Sequence, residues 1–181
     1  MNKYISILRG INVSGQKKIL MADLKTLYES IGFKNVVTYI QSGNVIFETN
    51  EAASQIELAS QIEEAILKLY SFEVPVIVFK NSQLKQWIES NPFLKDDNLE
   101  ERLYFTFLNK IPDPIHVEQI QGDYSPEKFE VIDNVVYFYC PIGYGKTKLS
   151  NTFFEKKLKV KATTRNFKTT FKLLGDSRHC A

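Results

Sequence analysis

Residues Asn35–Thr49 read NVVTYIQSGNVIFET. Two short runs of β-branched and apolar residues flank Gln41-Ser42-Gly43, which is the signature of a β-hairpin. A hairpin placed between two helices separates a split βαβ unit from a parallel sheet, so the flanking segments decide the fold. Upstream, MADLKTLYESIGF (21–33) sets Leu24, Leu27, Tyr28 and Ile31 at helical spacing, with Gly32 where a helix-ending glycine belongs. Before it, KYISILRGI (3–11) reads as a strand, with Ile5 and Ile7 on one face and Tyr4 and Leu8 on the other. Downstream, SQIELASQIEEAILKLY (54–70) carries Ile56, Ala59, Ile62, Ile66 and Leu69 on one stripe, and Ser54 with Glu57 makes a capping-box pattern. VPVIVF (74–79) is a last strand, and Pro75 near its start suits a sheet edge, where a missing N–H is tolerated. Strand, helix, strand, strand, helix, strand predicts a ferredoxin-like βαββαβ unit with a mainly antiparallel sheet.

The second half is a different α+β pattern. NSQLKQWIES (81–90) holds a short helix with Leu84, Trp87 and Ile88, ended by Pro92 and followed by the acidic stretch KDDNLEE (95–101). RLYFTFLN (102–109) is apolar enough to be a strand buried on both faces. IPDPIHVEQIQGDYSPEK (111–128) reads as a turn-rich connector, and FEVID and VVYFYC as a hairpin about Asp133-Asn134. Two helices are expected after it. One spans about Lys148 to Leu158; the other spans about Arg165 to Leu174, with Thr163 or Thr164 as its N-cap.

Composition narrows the function classes. The chain has 181 residues, 44% of them hydrophobic, a net charge of +2, and only two cysteines and two histidines. That argues against a disulfide framework, a Cys/His zinc site and a polycation built for nucleic acid. The start lacks a signal peptide's apolar region, and no apolar run approaches the ~20 residues that span a bilayer. The expected setting is cytoplasmic, without membrane association, and no cofactor is called for. Charge is uneven, however. Nine of the basic residues and a single acid, Glu155, fall between Lys146 and Lys172. Such a run is either a solvated face or a patch for an acidic partner.

Gly145-Lys146-Thr147 ends like a Walker A loop, but the required first glycine is Cys140 and Pro141 has no N–H to give a phosphate. The surrounding pattern is antiparallel, whereas a P-loop sits in a parallel sheet. A P-loop is rejected on both grounds. A weaker reading survives, in which a two-glycine turn opening a helix offers backbone N–H groups to an anion beside Lys146 and Lys148. The second helix start, TTRN, adds Thr164, Arg165 and Asn166, and an arginine grips phosphate or carboxylate bidentately. Plain capping explains the same residues. Arg9, Asn12, Ser42 and Asn44 lie in turns at strand ends and are further candidates to line a cleft, while turn geometry alone accounts for Gly43.

LRGINVSG, GFKNVVTYIQSGNVIF, ERLYFTFL, GYGKTKLSNTFFEKKL and TTRNF together resemble the bacterial domain-of-unknown-function 1697 family. The resemblance implies two small ferredoxin-like (alpha-beta plait) subdomains and no established activity. It marks Arg9, Gly10, Asn12, Ser42, Gly43, Asn44, Gly143, Tyr144, Gly145, Lys148, Leu149, Asn151, Glu155, Arg165 and Asn166 as signature positions. Lys146-Thr147 stands where the family often has Arg-Ser, and Phe167 where it often has Trp; Lys146 keeps the charge but lacks the guanidinium fork of a bidentate contact. The expected organisation is a βαββαβ subdomain over 1–80, a connecting helix and linker over 81–101, a second plait-like subdomain over 102–175, and a frayed tail over 176–181. The leading functional expectation is a small anionic or phosphorylated ligand bound at the start of the C-terminal helices. Two alternatives are kept. One is a nucleic-acid-binding module using the basic segment with Phe153, Phe154 and Phe167. The other is an enzyme of unknown reaction using Lys146, Arg165 and Glu155, for which no catalytic set is readable.

Overall fold

The computed structural model describes residues 1–50, 52–95 and 100–175. The expected frayed tail, with His179 and Cys180, and most of the acidic stretch after Lys95 lie outside the described residues. The chain divides into two compact units, Met1–Leu84 and Lys85–Ala181.

In the first unit β1 (Asn2–Leu8), α1 (Met21–Ser30), β2 (Lys34–Tyr39), β3 (Asn44–Thr49), α2 (Gln55–Tyr70) and β4 (Val76–Lys80) follow one another, and α3 (Asn81–Glu89) leads into the second unit. The strands form one antiparallel sheet in the order β2-β3-β1-β4. β1 lies between β3 and β4, with Ile5 opposite both Ile46 and Phe79. Its residues from Tyr4 to Leu8 are all buried. β4 is an edge strand, as Pro75 suggested. Gly32 adopts φ 97, and the N–H groups of Gly32 and Phe33 reach Glu29 O and Tyr28 O, a Schellman stop for α1. Ser54 and Glu57 cap α2 reciprocally. The stripe on α2 is narrower than the spacing indicated: Leu58, Ile62 and Ile66 are buried, whereas Ile56 and Leu69 face solvent. The core centres on Phe47, whose ring stacks 4.3 Å from Phe33 and meets Tyr28 edge-on at 5.6 Å.

The second unit repeats the succession with β5 (Leu103–Leu108), α4 (Pro114–Glu118), β6 (Lys128–Ile132), β7 (Val135–Tyr139), α5 (Asn151–Leu158), β8 (Ala162–Asn166) and α6 (Phe167–Lys172). Its sheet order, β6-β7-β5-β8, is the order of the first sheet with corresponding strands. The fold is therefore α+β, with the same antiparallel plait built twice. Phe138, Phe154, Leu149 and Leu158 form its core with Leu108 and Val136.

Three segments differ from expectation. The helix expected from Arg165 is a strand as far as Asn166, and the N-cap is Asn166, which accepts from Thr169 N–H at 2.8 Å, not Thr163 or Thr164. The two threonines are β-branched and pair with β5, Thr164 opposite Thr106, so the tertiary ladder outweighs their capping preference. The helix expected from Lys148 begins at Asn151: Thr147 Oγ1 accepts from Leu149 N–H, and Ser150 Oγ accepts from Phe153 N–H as the cap. The stretch read as a connector contains α4, started by Asp113 as N-cap and Pro114 in the first turn.

Candidate functional site

The candidate residues fall into two groups, one in each unit. In the first unit the groups are Arg9, Asn12, Ser42 and Asn44, gathered where β1 ends and β3 begins. Asn12 sits at φ 55 and donates from Nδ2 to Ile19 O and Gln41 O, both at 2.9 Å, while its Oδ1 accepts from Ile19 N–H. It therefore ties the β1–α1 loop to the hairpin turn. Asn44 is fully buried and donates to Tyr39 O and Ser42 Oγ at 3.0 Å. The backbone N–H of Arg9 donates to Pro75 O. Gly43 has φ 78, and a Cβ there would meet Leu8 Cβ and Ile11 Cδ1 at 2.7 Å. Geometry and close approach both demand glycine. Through these contacts Asn12, Ser42 and Asn44 help to close one end of the plait.

In the second unit the turn after β7 carries Gly143, Tyr144, Gly145, Lys146 and Lys148. Gly143 takes φ 86, and Lys146 N–H donates back to Gly143 O at 3.0 Å. A Cβ at Gly145 would meet nothing within 4 Å, so the turn backbone is open on that side. Lys146 and Lys148 are exposed. Tyr144 is half-buried, with its ring 5.2 Å from that of Tyr104 at the start of β5. Arg102, just ahead of β5, brings Nη1 within 3.6 Å of where a Gly143 Cβ would stand. Neither Tyr104 nor Arg102 was a candidate from sequence. They lie some forty positions away, and no local spacing connects them to the turn.

Asn151, the first residue of α5, accepts from Thr164 Oγ1 at 2.7 Å, and Thr164 in turn pairs with Thr106 Oγ1 at 2.7 Å. This chain of side chains fastens the start of α5 to β5 and β8. Arg165 is half-buried on the edge strand β8, opposite Phe105. Its Nη1 donates to Thr164 O at 2.9 Å and to Thr163 Oγ1 at 3.2 Å. Burial lowers its pKa to about 10, while the nearby Tyr144 phenol acts in the opposite direction. The group still carries its charge at neutral pH, at a cost in solvation. Adjacent strand residues project to opposite faces, so Thr164 and Arg165 do not form the contiguous TTRN cradle that a helix start would have given. Asn166 spends its side chain on the α6 cap. Glu155 accepts from Ala162 N–H at 3.0 Å and so braces the start of β8. That contact is a structural use for the one acid in the basic segment.

The rings proposed for base stacking are not displayed together. Phe154 and Phe167 are buried, and Phe153 packs edge-on against Phe154 and Tyr124. Among the described residues no helix is long and apolar enough to cross a membrane.

The family model described as Protein of unknown function (DUF1697) matches residues 1–137. The chain belongs to this family. The matched stretch contains Arg9, Asn12, Ser42 and Asn44 and ends before the Gly143 turn. A solved structure of a conserved bacterial protein from Streptococcus pneumoniae is similar in fold, with a TM-score of 0.70, 23% identity, and coverage of 96% of this chain and 97% of that one. Comparison with curated proteins gives no match.

Proposed function

We propose that the second unit binds a small anion, with a phosphate or carboxylate group held at the Gly143–Lys148 turn beside Tyr144 and Arg165. The observation that carries this reading is Arg165, a guanidinium kept charged in a half-buried position on an edge strand. Lys146 and Lys148 add positive charge around the same turn, with Arg102 close by and paired with Glu101 at 3.7 Å, and Gly145 leaves the turn backbone open. An anion docked there would return electrostatic stabilisation to a charge that burial disfavours. Asn151 and Thr164 position the surrounding elements, and Asn12, Ser42 and Asn44 serve the first unit's architecture. This reading moves the site from two helix starts to one turn and one strand.

A thermal-shift series tests it, using inorganic phosphate, a sugar phosphate and a dicarboxylate at constant ionic strength. A ligand at about 100 times its dissociation constant adds about 2.7 kcal/mol, which is readily seen. A stabilisation by one of these anions that disappears in Arg165→Met, with the variant still folded, supports the site. Equal stabilisation of wild type and variant removes Arg165 from it.

A further inference from the structure

The outer strands β2 and β6 hold corresponding places at the edges of their sheets, yet the two edges differ. In β2 the pairing with β3 slips between Lys34 and Val37, and Asn35 stands there at φ 50. Such a bulge bends an edge away from any further strand. In β6 the pairing with β7 runs unbroken from Lys128 opposite Tyr139 to Ile132 opposite Val135. The direction of its backbone groups follows from β7. Cys140 N–H and Asn134 O bond toward β5, to Arg102 O and Leu108 N–H, so Val135, Tyr137 and Tyr139 turn theirs toward β6. Lys128, Glu130 and Ile132 are therefore the residues of β6 bonded within the sheet. Phe129 and Val131 aim N–H and C=O outward, and among the described residues no hydrogen bond reaches those groups.

The side chains supply a register. Phe129 and Val131 are half-buried against the core of the unit, whereas Lys128 and Glu130 are exposed on the opposite face. A second β6 laid antiparallel on this edge must set outward-bonding residues opposite one another. When Phe129 faces Phe129 of the second copy, each Lys128 stands opposite a Glu130. Those are non-hydrogen-bonded positions, where facing side chains lie closest. A slip of two residues one way puts Glu130 opposite Glu130, and the other way Lys128 opposite Lys128. Both slips oppose like charges, which is destabilising. The matched register has a two-fold axis and uses up the edge on both copies.

We propose that β6 is a self-docking edge, on which a second copy of this chain adds its own β6 antiparallel in the register centred on Phe129. Exposed ion pairs add little affinity, so the charges select the register and the contact is weak. The test is sedimentation equilibrium of the full chain up to its highest soluble concentration, with Lys128→Glu, Glu130→Lys and the double variant alongside. Both positions are exposed, and circular dichroism checks that each variant keeps the fold. The wild type should associate to a dimer. Either single reversal sets like charges opposite each other across the axis and should weaken association about ten-fold or more. The double reversal should restore the wild-type affinity. An equimolar mixture of the two single variants should form a mixed dimer more tightly than either associates alone, a recovery that partial unfolding cannot imitate. A monomer at every concentration overturns the proposal. So does a dimer indifferent to the single reversals, or a mixture that shows no recovery.

Discussion

The two units carry one topology and use it differently. In the first, the β3–α2 connection is brief, residues 50–54, and α2 runs for 16 residues. In the second, the equivalent β7–α5 connection occupies residues 140–150, and α5 has 8 residues. The chain that forms helix in one unit forms the Gly143 turn in the other. The polar clusters also sit at opposite ends of their plaits. Asn12, Ser42 and Asn44 lie where the first central strand ends, whereas Tyr104, Tyr144 and Arg165 lie where its counterpart β5 begins. The clusters are therefore not copies of one site. The first is tied by hydrogen bonds of Asn12 and Asn44, whereas the second has exposed Lys146 and Lys148 beside a turn whose backbone is open at Gly145.

This contrast can be broken or sharpened by substitution. The largest effect is expected in the first core, where Phe47→Ala removes a fully buried ring packed against Tyr4, Tyr28 and Phe33. Denaturant unfolding should show a loss of about 3–5 kcal/mol. Gly43→Ala comes next. It forces a Cβ into Leu8 and Ile11 at a positive φ and should cost about 1–3 kcal/mol, with the anion response retained. Asn12→Ala removes the tie from the β1–α1 loop to Gln41 O in the hairpin turn and both bonds to Ile19 within that loop. A loss of about 1–3 kcal/mol is expected, again without change in anion affinity. A loss of anion affinity without destabilisation in Asn12→Ala would mean that the first cluster is a ligand site after all.

The smallest effect concerns the α2 cap. Ser54→Ala should cost about 1 kcal/mol by thermal unfolding. Glu57 is held below its usual carboxylate value mainly by the Ser54 N–H. A depressed folded-state pKa stabilises the protein above the unfolded value of 4.5, and that contribution is lost as pH falls through the folded value. The difference between wild type and Glu57→Gln should accordingly shrink on acidification.

The first unit was readable because its signals are local. The hairpin at Gln41–Gly43, the Gly32 stop and the Ser54–Glu57 box each act within a few residues, and all appear in the structure. The second unit was less so, because its decisive contacts are distant. Thr164 forms strand only because Thr106 is its partner, 58 positions away, and the ring that packs beside Tyr144 belongs to Tyr104. Asp113-Pro114 was a usable helix-start signal, hidden by the turn-forming residues around it. The candidate turn was visible from its two glycines and two lysines, but its neighbour Arg102 required the fold.

The measurement that tests the account most directly is an amide-resolved titration of the full chain with inorganic phosphate. It compares wild type with Arg165→Met. The account predicts saturable shifts at residues 143–148 and 164–166 that vanish in the variant, with residues 9–12 and 41–44 unmoved. Shifts centred on residues 9–12 and 41–44, or no saturable shift at the Gly143 turn, would contradict it.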